Sequence, residues 1–156
     1  MHDSFRIQGL GGRKTLSGTI EIHGAKNAIL QAFAFSLLFK DSVTLSNVPI
    51  IEDTKRMVEL LIELGITVVP NTERTYRIEL PTKVLTELPY ELSRKMRASI
   101  VLTGPLLARE GEVAFPHPGG CVIGNRPIDI FLDGFAAMGA TLHEEGPNGA
   151  SGRVAS

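Results

Sequence analysis

The chain repeats itself, and that repeat limits what it can fold into. Lys26-Asn27-Ala28 aligns with Met96-Arg97-Ala98, 70 residues further on. Leu64-Gly65-Ile66-Thr67 aligns with Met138-Gly139-Ala140-Thr141, 74 residues further on. Each glycine falls where an apolar helical stripe gives way to a strand-like run, the usual place for a left-handed helix stop. Helix-and-strand units of this kind cannot bury their apolar faces alone, so copies must stack on one another. The fold class is therefore α/β (α+β), built from repeated units that each read as βαβα. The four extra residues of the second copy fall before its second helix, in the segment that holds Cys121.

Periodicity and punctuation place the elements. Strands are predicted at 4–8 and 15–23, around the turn Gly9-Leu10-Gly11-Gly12; in the second, Thr19 and Glu21 alternate with Ile20 and Ile22. Because a strand follows those glycines, they do not read as a dinucleotide-binding loop. A helix is predicted over 24–39 and a strand over 43–48. The next helix is N-capped by Asp53 and carries the stripe Met57, Val58, Leu60, Leu61 and Leu64. Strands at 66–69 and 76–80 follow, paired around a turn at 71–74. The second copy reads as a helix from 93 to 109 kinked at Pro105, a strand at 112–115, a helix with Pro127 at its first position and a strand at 141–144. The stripe of that last helix is Ile130, Phe131, Phe135 and Met138. Residues 146–153, rich in Gly, Pro, Asn and Ser, have linker composition without a period. The predicted organisation is thus N-terminal strands at 1–23, repeat units over 24–145, and a linker-like or truncated tail at 146–156.

With 43% hydrophobic and 21% charged residues, the 156-residue chain reads as a soluble globular protein. A net charge of -1 leaves no electrostatic footprint for nucleic acid. The single cysteine excludes an internal disulfide framework and fits a reducing compartment. No basic-then-apolar leader opens the chain and no apolar run is long enough for a membrane span, so the expected location is the cytoplasm, with no membrane partner. The four histidines lack metal-ligand spacing, and no metal site is expected.

Cys121 lies in Pro116-His117-Pro118-Gly119-Gly120-Cys121-Val122-Ile123-Gly124-Asn125-Arg126-Pro127. A backbone of this composition forms neither helix nor strand easily, so the thiol is offered on a loop. A free cysteine is more often an inert buried residue than a reactive one; the loop context brings the two readings to even terms. Lys26 and Arg97 fall near the starts of equivalent helices, where free N–H groups and the positive dipole end already favour an anion. A cation placed there makes sense if an anionic ligand is held. Arg126 precedes another helix start and suits bidentate phosphate pairing. Asp129 either accepts from a ribose or base or simply stabilises a helix start. Nearby cations would lower the thiol's pKa and make Cys121 an acid, base or nucleophile toward an anionic substrate.

Gly24-Ala25-Lys26-Asn27-Ala28, Met96-Arg97-Ala98-Ser99 and the loop from Pro118 to Asp129 resemble the UDP-N-acetylglucosamine 1-carboxyvinyltransferase family of enolpyruvyl transferases. The resemblance spans residues 5–145. It implies βαβαββ units packed as an inverse α/β barrel, three units to a domain and two domains to a protein, of which two units are seen here. It implies transfer of enolpyruvyl from phosphoenolpyruvate to the 3-hydroxyl of UDP-N-acetylglucosamine, with phosphate released, in peptidoglycan synthesis. In that scheme Lys26 and Asn27 contact phosphoenolpyruvate, and Arg97 with Arg126, Pro127, Ile128, Asp129 and Ile130 contacts the UDP-sugar. Cys121 is the proton donor, can hold a covalent adduct, and is the thiol alkylated by fosfomycin. No cofactor is implied. The family's third unit, second domain, carboxylate base and phosphate-binding arginine lie beyond these residues, so the chain reads as a fragment inactive alone. The missing domain or self-association would cover its exposed surfaces, and strands 1–23 would pair within that domain. A non-catalytic sugar-nucleotide-binding or assembly module is the alternative; a nucleic-acid enzyme with related repeats, such as an RNA terminal-phosphate cyclase, is disfavoured by the charge.

Overall fold

The computed structural model describes residues 4–9, 11–12, 15, 17–117, 127–145 and 151–156. Cys121 and Arg126 lie outside the described residues.

The first unit runs α1 (Lys26–Ser36), β1 (Val43–Leu45), α2 (Glu52–Glu63), β2 (Thr67–Thr72) and β3 (Thr75–Glu79). The second opens with α3 (Tyr90–Lys95), a 3₁₀ helix (Arg97–Leu102) and α4 (Thr103–Glu110), and continues with β4 (Glu112–Pro116), α5 (Asp129–Ala137), β5 (Thr141–Glu145) and β6 (Ser151–Ala155). Each unit makes a three-stranded sheet, β1-β3-β2 and β4-β6-β5. In both, the last strand inserts between the other two and pairs antiparallel with each. The internal repeat is therefore a repeat of topology. Its glycine markers match in conformation too: Gly65 has φ 85° and Gly139 φ 95°, a region that other residues enter at a cost.

The helices supply most of one continuous core. Phe33 of α1, Met57, Leu60 and Leu61 of α2 and Leu106 of α4 are fully buried. The sheets close it with Ile78 from β3, Val113 and Phe115 from β4 and Val154 from β6. Burying each such side chain contributes about 1.5–3 kcal/mol. Arg109 ties the units together. Its guanidinium donates to the carbonyls of Leu37 (3.0 Å) and Phe39 (3.1 Å) after α1, and to Pro81 (3.1 Å) after β3.

Several expectations need correction. None of the described residues from 4 to 23 forms a strand. Their alternation is real, but the apolar side chains have nothing to pack on: Phe5, Ile7, Ile20 and Ile22 are at least 78% exposed. A strand also needs a neighbour for its N–H and C=O groups. The predicted helix over 93–109 breaks at Met96 (φ −137°, ψ 101°), not at Pro105. Pro105 lies in the first turn of α4, where a helix tolerates proline. Ile51, not Asp53, is the N-cap residue of α2, and Pro127 lies one residue ahead of the α5 N-cap, Ile128. Of the α5 stripe only Phe135 is buried; Ile130 and Met138 are nearly four-fifths exposed. In the tail read as a linker, Ser151–Ala155 forms the central strand of the second sheet. It is small and glycine-bearing because it is packed from above: a Cβ on Gly152 would lie 3.1 Å from the Phe115 ring. The strand that should open the second unit is reduced to one parallel bridge, Glu87 to Ala114.

Candidate functional site

The site begins at Gly24. A Cβ there would sit 2.2 Å from the carbonyl oxygen of Asn47, and the Gly24 N–H donates to that same oxygen (3.2 Å). Only glycine allows the chain to enter α1 this close to the turn before α2. Asn47 in turn has φ 55° and its side-chain carbonyl accepts from Arg74, which also pairs with Glu21 at 2.9 Å. The start of α1 is thus fixed against the β1–α2 turn. No side chain caps that start, so Lys26 and Asn27 occupy the first turn of a helix whose leading N–H groups have no side-chain acceptor.

Lys26 and Asn27 line a cavity of about 490 Å³, a size suited to a small-molecule ligand. Arg97, Lys95 and Phe131 line it from the second unit, and Asp53 from α2. Three cations therefore share the cavity with one carboxylate. Asp53 forms an ion pair with the Lys26 ammonium. At the second position of α2 its charge is also favourable to the helix dipole.

Three of the expected substrate-binding residues, Lys26, Asn27 and Arg97, come together on this cavity. A fourth, Pro127, joins them through its backbone: its carbonyl accepts from the Arg97 guanidinium at 3.3 Å. That bond secures the start of the α5 segment to the 3₁₀ helix. Ile128 is buried in the core and does not line the cavity. Asp129 and Ile130 are exposed on the first turn of α5 and do not line the cavity. Asp53, Lys95 and Phe131 were missed. Lys95 carried a usable signal, because it sits two residues before Arg97. Among the described residues no group of three or more His, Cys, Asp or Glu side chains is placed to hold a metal. Among the same described residues no helix is long and apolar enough to cross a membrane.

A sequence profile of the EPSP synthase (3-phosphoshikimate 1-carboxyvinyltransferase) family matches residues 10–156. The UDP-N-acetylglucosamine 1-carboxyvinyltransferase of Agrobacterium fabrum is 44% identical over 150 residues, covering 90% of this chain and 35% of the relative. That of Gluconobacter oxydans is 47% identical over 145 residues, covering 92% and 33%. The chain thus spans about a third of the length of the curated relatives it matches. Among solved structures, the enolpyruvyl transferase NikO from Streptomyces tendae superposes with a TM-score of 0.73 at 21% identity, over 90% of this chain and 30% of that one. An EPSP synthase from Acinetobacter baumannii gives 0.64 at 14% identity, over 88% and 32%. At these identities the superpositions speak for the fold.

Proposed function

The chain belongs to the EPSP synthase family, and on that premise we propose that it forms the sugar-nucleotide side of an enolpyruvyl transferase acting in peptidoglycan synthesis. The substrates are phosphoenolpyruvate and UDP-N-acetylglucosamine. The observation that carries this reading is the convergence of Lys26, Asn27 and Arg97 on one cavity from equivalent positions of two repeat units. Both substrates are anionic, and cations fixed before binding need no reorganisation during reaction. The 40-odd per cent identity to relatives named for this reaction supports the choice of sugar nucleotide over other acceptors.

In the proposed mechanism Lys26 and Asn27 hold phosphoenolpyruvate. Arg97, Arg126 and the segment from Pro127 to Ile130 hold the UDP-sugar. The sugar 3-hydroxyl oxygen bonds to C2 of phosphoenolpyruvate while Cys121 gives a proton to the C3 methylene. Loss of a proton from C3 and cleavage of the C2–O bond to phosphate then restore the C2=C3 double bond, giving the enolpyruvyl ether of the sugar and inorganic phosphate. The cations offset the charge of the phosphoryl and diphosphate groups throughout. Anionic substrates and a chain of net charge -1 fit small-molecule chemistry, and a single cysteine fits the cytoplasm. On this reading the base that deprotonates the 3-hydroxyl is supplied from outside these residues, which span about a third of the relatives' length.

A chimera tests the reading. These residues replace the corresponding segment of the Agrobacterium fabrum relative, and phosphate release is followed with both substrates. The proposal expects UDP-N-acetylglucosamine-dependent release, reduced at least about 100-fold by Lys26→Ala. A folded chimera that releases no phosphate, or one indifferent to Lys26→Ala, contradicts it.

A further inference from the structure

We infer that Arg56 is a positioning residue: its guanidinium holds open the helix break at Met96 and so brings Lys95 and Arg97 onto the same cavity. The inference deepens the proposed function and rests on it for the ligand, though not for the geometry.

Lys95 ends α3 and Arg97 begins the 3₁₀ helix, with Met96 extended between them. Across an extended residue the two flanking side chains fall on the same side. Lys95 and Arg97 flank the cavity with their charges, and Met96 between them is buried in the core and contributes to the cavity floor. A helix continuing through Met96 advances about 100° per residue, so Lys95 and Arg97 would stand about 200° apart. Only one of them could then reach the cavity.

Local preference does not make this break. Arg94-Lys95-Met96-Arg97-Ala98 is a run of strong helix formers, and the sequence predicts a helix straight through it. The cause is tertiary. In a continuous helix the Lys95 carbonyl would accept from the Ser99 N–H. Here that carbonyl accepts from Arg56 Nη1 at 3.0 Å, and the Ser99 N–H turns to the Met96 carbonyl at 3.0 Å. The Ser99 hydroxyl adds a second tie, donating to the Ser93 carbonyl at 3.3 Å. Arg56 is itself aimed by Glu52 one turn earlier on α2, through Nε at 3.2 Å. A charged donor on the terminal carbonyl of a helix is also favoured by the dipole. The opening turns of α2 therefore hold both cationic arms of the cavity, Asp53 pairing with Lys26 and Arg56 setting the Lys95–Arg97 segment.

The test uses the whole chain with Arg56→Met, which keeps an apolar stem and removes the donor, and Arg56→Lys, which restores charge with shorter reach. In the first arm, backbone carbon-13 shifts are read without ligand. In Arg56→Met the Met96 and Arg97 shifts move toward helical values while the melting temperature stays within about 5 °C. Unchanged shifts at Met96 overturn the inference, whatever any ligand does. In the second arm, affinity for UDP-N-acetylglucosamine falls about tenfold in Arg56→Met and is partly recovered in Arg56→Lys; equal affinity overturns it. A wild-type chain that binds no UDP-sugar overturns the proposed function, and the carbon shifts still decide the role of Arg56. Should Arg56→Met fail to fold, Glu52→Gln leaves Arg56 in place and moves the same shifts in the same direction by less; no movement overturns the inference.

Discussion

At Gly24 a single hydrogen atom decides where a helix starts. The Asn47 carbonyl oxygen occupies the space a methyl group would need. Gly24→Ala must therefore push α1 off the β1–α2 turn, at a cost of about 1–3 kcal/mol for the overpacking. Urea unfolding checks this, with Gly9→Ala as the control, since nothing lies within 4 Å of its added carbon. An unchanged midpoint for Gly24→Ala would show that the contact yields freely. The cations at this scale were legible in the sequence because the repeat sets Lys26 and Arg97 at nearly matching positions, so each supports the other. Asp53 was misread as a cap. Residue type identifies a helix start only to within a position or two, and its partner, Lys26, is met only after α1 and α2 have packed. The arginine at 56 was invisible for the same reason: its acceptor is a backbone carbonyl 39 residues away.

Among the elements, β6 is the one that composition hides. A strand of Ser, Gly, Arg, Val and Ala does not look like the middle of a sheet. Yet it pairs along its whole length with both neighbours, β4 and β5. Val154 anchors it, 1% exposed against the core. Val154→Ala is expected to destabilise the fold by about 2 kcal/mol through the lost burial and the cavity left behind, measured by chemical denaturation. A cost near zero would mean the second sheet is not part of the cooperative unit. The strand was legible by another route. β3 follows β2 in the first unit, and the 74-residue offset between Gly65 and Gly139 carries β3 onto the end of the chain. The helices were easier, because an apolar stripe at period 3.6 survives without its neighbours. Their ends and breaks were not, since Met96 is extended by tertiary bonds that no local pattern encodes. The alternation in 17–23 misled in the opposite sense: a two-residue period describes a face, and a face becomes a strand only beside another strand.

The molecule as a whole combines two copies of one topology over a shared core, with one cavity drawing cations from both. Both copies arrange their three strands in the same antiparallel order, with the last strand in the middle. The central claim is that this cavity takes a sugar nucleotide through Arg97. Titration calorimetry of the chain with UDP-N-acetylglucosamine tests it most directly. Saturable binding of one ligand per chain is expected, weakened about tenfold or more by Arg97→Ala and untouched by Gly9→Ala. Binding of equal strength in Arg97→Ala, or no binding by the wild-type chain, would contradict it.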